Sequence, residues 1–461
     1  MKKLLILFFL FLFYNSNAQY KINGEAKLKI GDKVKLISHN GFGTIVIDST
    51  IIDSNGGFKL KYFDKDLGMG YLLFSNDKPF NIVLAKENIF IKADTLNGYQ
   101  PIDFTEGNEN RVFGKYAIEY PQREQAILAW KYLQSKYLLD TQFGNLQNIN
   151  HVISDEIVRI KNTDSLFLSS LPVSSYMSWY LPVRKLISSV STIVQYSPKE
   201  IPNTIIKFRA MDYSSSLIYK SGLLKDLIEQ QFVLLENSNL KIDIEISEIN
   251  ISIDDILKSV SKNQSLYNEI ASHLFLYFEQ HSLFTASSYL ALKVLSNNTM
   301  IKDARLVKML ESYRKMKLGN IAPDIKLGRN LYKSGSEFIG PNALSEIKSQ
   351  YKVVIFGASW CNSCGEEMAQ LIPLYEKWKS KGVEVVFISL DTEKKSFLDF
   401  TSVMPFFSYC DFKKWDTQAA KDYFISSSPT LYLLDNNNKI ILRPNWIKAI
   451  DAWFDYTFRI H

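Results

Sequence analysis

The sequence predicts a multidomain protein: an N-terminal antiparallel all-β domain, an all-α middle domain and a C-terminal α/β domain. Three observations predict it. Short apolar runs alternate with polar residues up to Phe104, and apolar residues recur at helical spacing from there to Leu318. Beyond Leu318, unbroken apolar runs take turns with amphipathic ones. The 461 residues exceed what one hydrophobic core serves, so two or three domains are expected. A composition of 46% hydrophobic and 22% charged residues is that of a folded chain.

Residues 1–18, "MKKLLILFFLFLFYNSNA", read as a signal peptide. Two lysines precede an apolar stretch from Leu4 to Tyr14, and a Ser-Asn-Ala end predicts cutting after Ala18. The apolar stretch falls short of the roughly 20 residues a bilayer span needs, and no later uncharged stretch approaches that length. The mature chain is therefore expected to be exported, without a membrane span. No cysteine stands near the cut to carry a lipid anchor. The formal charge is +6, two charges of which leave with Lys2 and Lys3, and no dense Lys/Arg cluster alternates with aromatics. Nucleic acid is not an expected partner. Five scattered histidines, unpaired with cysteines, offer no metal-ligand spacing, so neither metal nor cofactor is expected.

Over 19–104 the runs "KVKLISH", "TIVIDSTII", "FKLKYF", "YLLFS", "FNIVLA" and "NIFIKAD" are β-rich. Turn signals such as Asn40-Gly41 and "SNGG" separate them. A small sandwich or barrel that binds or docks is the reading. Over 105–318, "NRVFGKYAIEYPQREQAILAWKYLQSKYLLD" and "SLYNEIASHLFLYFEQHSLFTASSYLALKVLSN" place apolar residues at i, i+3, i+4 and i+7. The aromatic stripe Phe275, Tyr277 and Phe278 reads as bundle core, a ligand groove being the alternative. "SLPVSSYMSWYLPV", with Pro172 and Pro182, reads as a loop between helices.

The third domain, 319–461, opens with a Gly/Pro linker, "GNIAPDIKL". "YKVVIFGAS" follows, apolar throughout like a parallel strand covered on both faces. Next come a cysteine turn, an amphipathic helix closed by Gly382 and a second buried strand, "VEVVFISLD". A helix near "KKSFLDFTS", a short strand near "FFSYCDF" and a helix near "TQAAKDYF" continue the pattern. "SSSPTLYLLDNNNKIIL" reads as two strands around an Asn-rich turn, with a last helix at "WIKAIDAWFDYTF".

The turn between the first buried strand and its helix, "GASWCNSCGEE", holds two of the chain's three cysteines. An exported protein stabilised by disulfides would carry an even, dispersed set. A bond between residues three apart closes too small a loop to stabilise much, so the pair reads as reactive. Cys361 falls at or just before the first helical residue, where free N–H groups and the helix dipole favour a thiolate, the attacking species in disulfide exchange. Cys364, one turn on, is placed to attack the mixed disulfide that Cys361 forms. Zinc binding or a structural bond are the other readings of an isolated CxxC. Zinc needs a second ligand pair, and only Cys410 remains, with no histidine nearby. Cys410 itself reads as a buried thiol in a strand.

This arrangement resembles the thioredoxin fold, and more closely the TlpA/ResA-like branch of exported thiol-disulfide oxidoreductases. The likeness covers about 319–461. It rests on "APDI" upstream, "WCNSC" after a buried strand, Glu367 three residues past the second cysteine, and "SPT" at 428–430 before a strand. It implies a redox-active Cys361–Cys364 disulfide and a cis Pro429 facing the pair. The Ser428 backbone would hydrogen-bond an extended substrate chain, with Trp360 and Thr430 on the same binding surface. Glu367 carries two readings: a carboxylate assisting proton transfer at the buried cysteine, or a first-turn acid favoured by the helix dipole. The partners implied are cysteine-containing envelope proteins and an electron-donor thiol protein.

Several positions depart from the pattern. Ile355 stands where thioredoxin has a buried Asp, and Ala369 replaces the usual helix proline, with Pro373 four residues on. Asn362 and Ser363, neither Pro nor His, fill the gap between the cysteines, which leans the reading towards a reductant or isomerase. "MDYSSSLIYKSGLLKDLIEQQF" and "TEGNENRVF" resemble the accessory domains of large exported Bacteroidetes thioredoxin-family proteins, which implies the periplasm of a Gram-negative bacterium. The alternative function is an envelope binding or docking protein whose C-terminal module is accessory or catalytically silent.

Overall fold

A computed structural model describes residues 19–26, 29–75, 79–92, 103–139, 148–281, 283–296, 306–307, 310, 314–425 and 427–460. The expected signal peptide, 1–18, lies outside the described residues. Two compact units divide between Lys241 and Ile242, inside the stretch of helical spacing.

In the first unit, eight strands form two four-stranded sheets: β1 (Gln19–Glu25), β2 (Lys33–Asn40), β3 (Gly43–Ile51), β4 (Gly57–Phe63), β5 (Gly68–Phe74), β6 (Phe80–Leu84), β7 (Ile89–Lys92) and β8 (Asp103–Glu106). The sheet orders are β4-β1-β7-β8 and β3-β2-β5-β6. Alternation settles which face is buried: in β4, Phe58, Leu60 and Tyr62 point into the shared core while Lys59 and Lys61 point out. β2 and β3 form a hairpin whose turn sets Gly41 at φ 63°, a left-handed conformation glycine adopts without steric cost. Neighbours are antiparallel except β1 and β7, which run parallel. Those two are far apart in sequence, which leaves chain enough for the crossover a parallel pair needs.

The same unit continues with α1 (Asn108–Leu139), α2 (Ile149–Ser169), α3 (Tyr176–Tyr196), α4 (Ile201–Arg209), α5 (Ser216–Tyr219) and α6 (Leu224–Glu236). Glu87, on the loop before β7, caps α1 by accepting the Asn108 and Glu109 N–H groups at 2.8 and 3.0 Å. The buried Asn110 exchanges two hydrogen bonds with the Val83 backbone in β6, so α1 is anchored to the sheet through satisfied polar groups. The proline-containing stretch is a loop only as far as Ser175. That serine caps α3 by accepting the Met177 N–H, and Pro182 lies inside the helix.

The second unit begins with α7 (Ile242–Ser259), α8 (Gln264–Gln280) and α9 (Phe284–Ser296). It then runs β9 (Leu331–Lys333), β10 (Ser336–Glu337), β11 (Tyr351–Gly357), α10 (Asn362–Lys379), β12 (Val383–Ser389), α11 (Lys394–Thr401), β13 (Phe407–Tyr409), α12 (Gln418–Asp422), β14 (Thr430–Asp435), β15 (Ile440–Leu442) and α13 (Ile447–Ile460). Phe275, Tyr277 and Phe278 of α8 are all buried, as core. One seven-stranded mixed sheet has the order β10-β9-β13-β12-β11-β14-β15, with β11, β12 and β13 parallel. β10 at the sheet edge and β9 beside it are too short for the sequence to announce. β11 is covered on both faces. Val353 and Ile355 meet Leu371 and Trp378 of α10 and Phe454 of α13, while Val354 and Phe356 meet Tyr423 and Tyr432. Among the described residues no helix is long and apolar enough to cross a membrane.

A buried ion pair ties α8 to the segment after β15. Arg443 Nη2 and Nη1 donate to Glu279 Oε2 and Oε1 at 2.5 and 3.3 Å, and the guanidinium lies 3.8 Å from the Phe284 ring centroid. Truncating one partner leaves the other buried without its counter-charge. Glu279→Ala is expected to lower the stability of this unit by about 3–5 kcal/mol, read by urea unfolding. Wild-type stability in that variant would contradict the account.

Candidate functional site

β11 ends at Gly357, and Ala358, Ser359 and Trp360 turn the chain into α10. Cys361 is the N-cap of that helix, with the extended backbone (φ −97°, ψ 107°) an N-cap needs. Its Sγ accepts the Cys364 N–H at 3.2 Å, the place a Ser or Asp oxygen usually takes. The two sulfurs are bonded to each other. Exposure separates them: Cys361 retains 8% and Cys364 none. Only the first can be reached by an incoming sulfur. In the dithiol state the helix N-terminus stabilises negative charge on Cys361, the more nucleophilic form. The Ser363 hydroxyl, 3.4 Å from the same sulfur, adds a donor that the sequence reading of the gap did not weigh.

Facing the pair, the Ser428–Pro429 peptide is cis, and the Ser428 carbonyl oxygen lies 3.5 Å from Cys361 Sγ. Both residues are half-buried. Thr430 opens β14 opposite Phe356 of β11, and its hydroxyl donates to the Ser427 carbonyl at 2.8 Å, so it braces the loop. Trp360 is 49% exposed, edge-on to Trp415 at 6.2 Å, with Lys414 Nζ 5.3 Å from its ring centroid. An aromatic rim with one cation thus borders the accessible sulfur. Glu367 has a contact that neither sequence reading includes: its Oε2 accepts the Ile447 N–H at 2.6 Å and anchors the first turn of α13. Ile355 is fully buried in the core under α10 and α13.

The sequence reading missed what holds the turn. Asp391, buried just past β12, accepts the Ser359 hydroxyl at 2.6 Å, the Ser359 N–H at 3.1 and 3.2 Å and the Ser389 hydroxyl at 2.7 Å. One carboxylate therefore fixes the residue two before Cys361. Gly357 matters for the opposite reason, an absence of bulk: a Cβ there would sit 2.8 Å from the Phe387 ring and 3.2 Å from Cys364 Sγ. Cys410, one residue past β13, is a fully buried free thiol 3.5 Å from the Asp391 carbonyl, and burial pushes its pKa up to about 11.

Comparison with known proteins agrees with this geometry. A family model described as thioredoxin-like matches residues 349–440, and a model of a domain of unknown function (DUF4369) matches 20–113. The thiol-disulfide oxidoreductase ResA of Oceanobacillus iheyensis is 36% identical over 77 residues, 16% of this chain and 38% of that protein. Nucleoredoxin of Danio rerio is 31% identical over 109 residues, 23% of this chain and 26% of that protein. The chain thus spans well under half the length of either relative. A solved thiol-disulfide oxidoreductase from Bacteroides fragilis is 26% identical, covering 30% of this chain and 99% of that one, with a TM-score of 0.26. The C-terminal domain is thioredoxin-like.

Two outcomes follow from the buried groups. Asp391→Ala strands two hydroxyls and an N–H, and is expected to destabilise by roughly 2–4 kcal/mol and to speed hydrogen exchange at the Ser359 amide. Unchanged exchange there would show that the turn holds itself. With a pKa near 11, about a thousandth of the Cys410 thiol is ionised at pH 8, so iodoacetamide should leave it unmodified until the protein unfolds. Mass spectrometry of the native, oxidised chain reads this, and rapid labelling would refute it.

Proposed function

We propose that this chain, through its thioredoxin-like C-terminal domain, exchanges disulfides with cysteine-containing proteins of the cell envelope, as a reductant or isomerase. One observation carries the reading: a reachable sulfur at a helix N-terminus, bonded to a buried sulfur and facing a peptide carbonyl. In the dithiol state Cys361 attacks a substrate disulfide. One substrate sulfur leaves and takes a proton, and a mixed disulfide remains. Cys364 then loses its proton and attacks Cys361 Sγ, releasing the second substrate thiol and re-forming the Cys361–Cys364 bond. Two electrons pass to the substrate, and a donor dithiol protein restores the pair by the reverse steps. In isomerase action another substrate thiol resolves the mixed disulfide, and the pair stays reduced.

The Ser428–Pro429 backbone and Trp360 offer an extended substrate chain a polar edge and an apolar rest. Glu367 already accepts the Ile447 N–H, so a part in proton transfer at Cys364 requires that bond to be shared or released. The apolar leader, Leu4 to Tyr14 before Ala18, supports export and an envelope site of action. Residues 19–104 and 105–318 serve as accessory domains that dock partners or hold the redox domain.

Cys361→Ser is expected to abolish dithiothreitol-driven insulin reduction, because no nucleophile remains at the surface. Cys364→Ser is expected to accumulate mixed disulfides, identified by mass spectrometry from non-reducing gels of the native envelope. Turnover that survives the loss of Cys361 would sink the proposal.

A further inference from the structure

We propose that the cavity among α1, α2, α3 and α4 is a binding site for a small organic oxyanion, a carboxylate or a phosphate ester. It lies wholly in the first unit, apart from the redox chemistry. It encloses about 290 Å³, the scale of a small ligand, and five cationic side chains line it against three acidic ones. That balance already disfavours a cation.

The internal contacts leave one buried cation without a carboxylate close to it. Asp164 is shared by two cations, Arg123 Nη2 at 3.3 Å and Lys185 Nζ at 2.5 Å. Glu124 is taken up by the hydroxyls of Tyr120 and Ser188 at 2.6 and 2.8 Å. Lys131 is only 9% exposed, yet its Nζ donates to a neutral partner, the Ser197 hydroxyl, at 2.6 Å. Among the described residues no carboxylate stands within 4.0 Å of it. Burial and then the Lys161 charge pull its pKa down, with Glu200 acting the other way. An ammonium has three donors, so two remain unspent on a group held away from bulk water. Arg123 Nε, on the same wall, is likewise a buried donor without a hydrogen-bond partner.

Lys131 and Arg123 line the same cavity, and a bound oxyanion would accept from their unspent donors while offsetting the positive charge. Lys161 and Lys207, exposed at the mouth, raise the local concentration of an anion. Ile127 and Ile193 give the ligand's carbon body an apolar wall. The shared chemistry is an oxyanion head on a short carbon frame.

Isothermal titration of the full chain with sodium succinate and with inorganic phosphate, at constant ionic strength, tests this. Saturable one-to-one binding of at least one probe is expected, with a Kd of roughly 10 µM to 1 mM. Succinate alone marks a carboxylate ligand, phosphate alone a phosphoryl ligand, and either outcome supports the site. Lys131→Met is expected to weaken binding about tenfold or more, through loss of a charge-assisted hydrogen bond. The surface pair Lys161→Ala/Lys207→Ala, which leaves the bundle core intact, should weaken it about threefold and decides the matter if Lys131→Met does not fold. No saturable heat with either probe up to roughly 50 mM, or wild-type affinity in a folded Lys131→Met or in the surface pair, would overturn the proposal.

Discussion

The hydrogen bond from the Cys364 N–H to Cys361 Sγ is the constraint on which the candidate site depends. It exists because a helix begins at Asn362 and puts a sulfur where an N-cap oxygen would stand. Each neighbouring feature keeps that beginning in place. β11 delivers the chain from the middle of a seven-stranded sheet, so the turn starts from a strand held on both sides. Asp391 fixes the turn from the next strand over, and Gly357 leaves room for the Cys364 sulfur and the Phe387 ring. The difference in exposure between the two sulfurs follows from the same start. The N-cap keeps a narrow opening to solvent, and the residue one turn on faces the core.

α10 and the last helix are secured together at points along the length of α10. Glu367 anchors α13, Lys377 Nζ reaches Asp451 and Asp455 at 3.1 and 2.8 Å, and Trp378 Nε1 donates to Asp451 at 2.8 Å. The helix that carries both cysteines is therefore clamped along its length to a second helix beneath the sheet. A rigid platform suits disulfide exchange, in which the reacting sulfurs must stay in line while the partner chain changes.

Much of the C-terminal domain was legible because its central strands are buried on both faces, and such strands show as short unbroken apolar runs bounded by turn residues. The cysteine turn stood out through its place between a strand of that kind and an amphipathic helix. What escaped were contacts made across the fold. Asp391 lies thirty residues from Cys361, in a segment whose only local signal is the end of a strand. The Glu367–Ile447 bond joins residues 80 apart, so the helix pattern gave no hint of it. β9 and β10, three and two residues long, are too short for alternation to register. Pro182 looked like a breaker, but helical packing on both sides outweighs one missing N–H. The division at Lys241 and Ile242 was hidden because helical periodicity runs on either side of it.

The Arg443–Glu279 pair carries a practical corollary for anyone producing the thioredoxin-like domain alone. Starting a shortened chain at residue 319, where its sequence likeness begins, would discard Glu279 and the Phe284 ring. That would bare a guanidinium now sealed against protein, together with the aromatic surface around it. Such a fragment would arrive with a sticky, charged wound in its flank. The natural starting point for recombinant work is Ile242, which keeps α7, α8 and α9 as its lid.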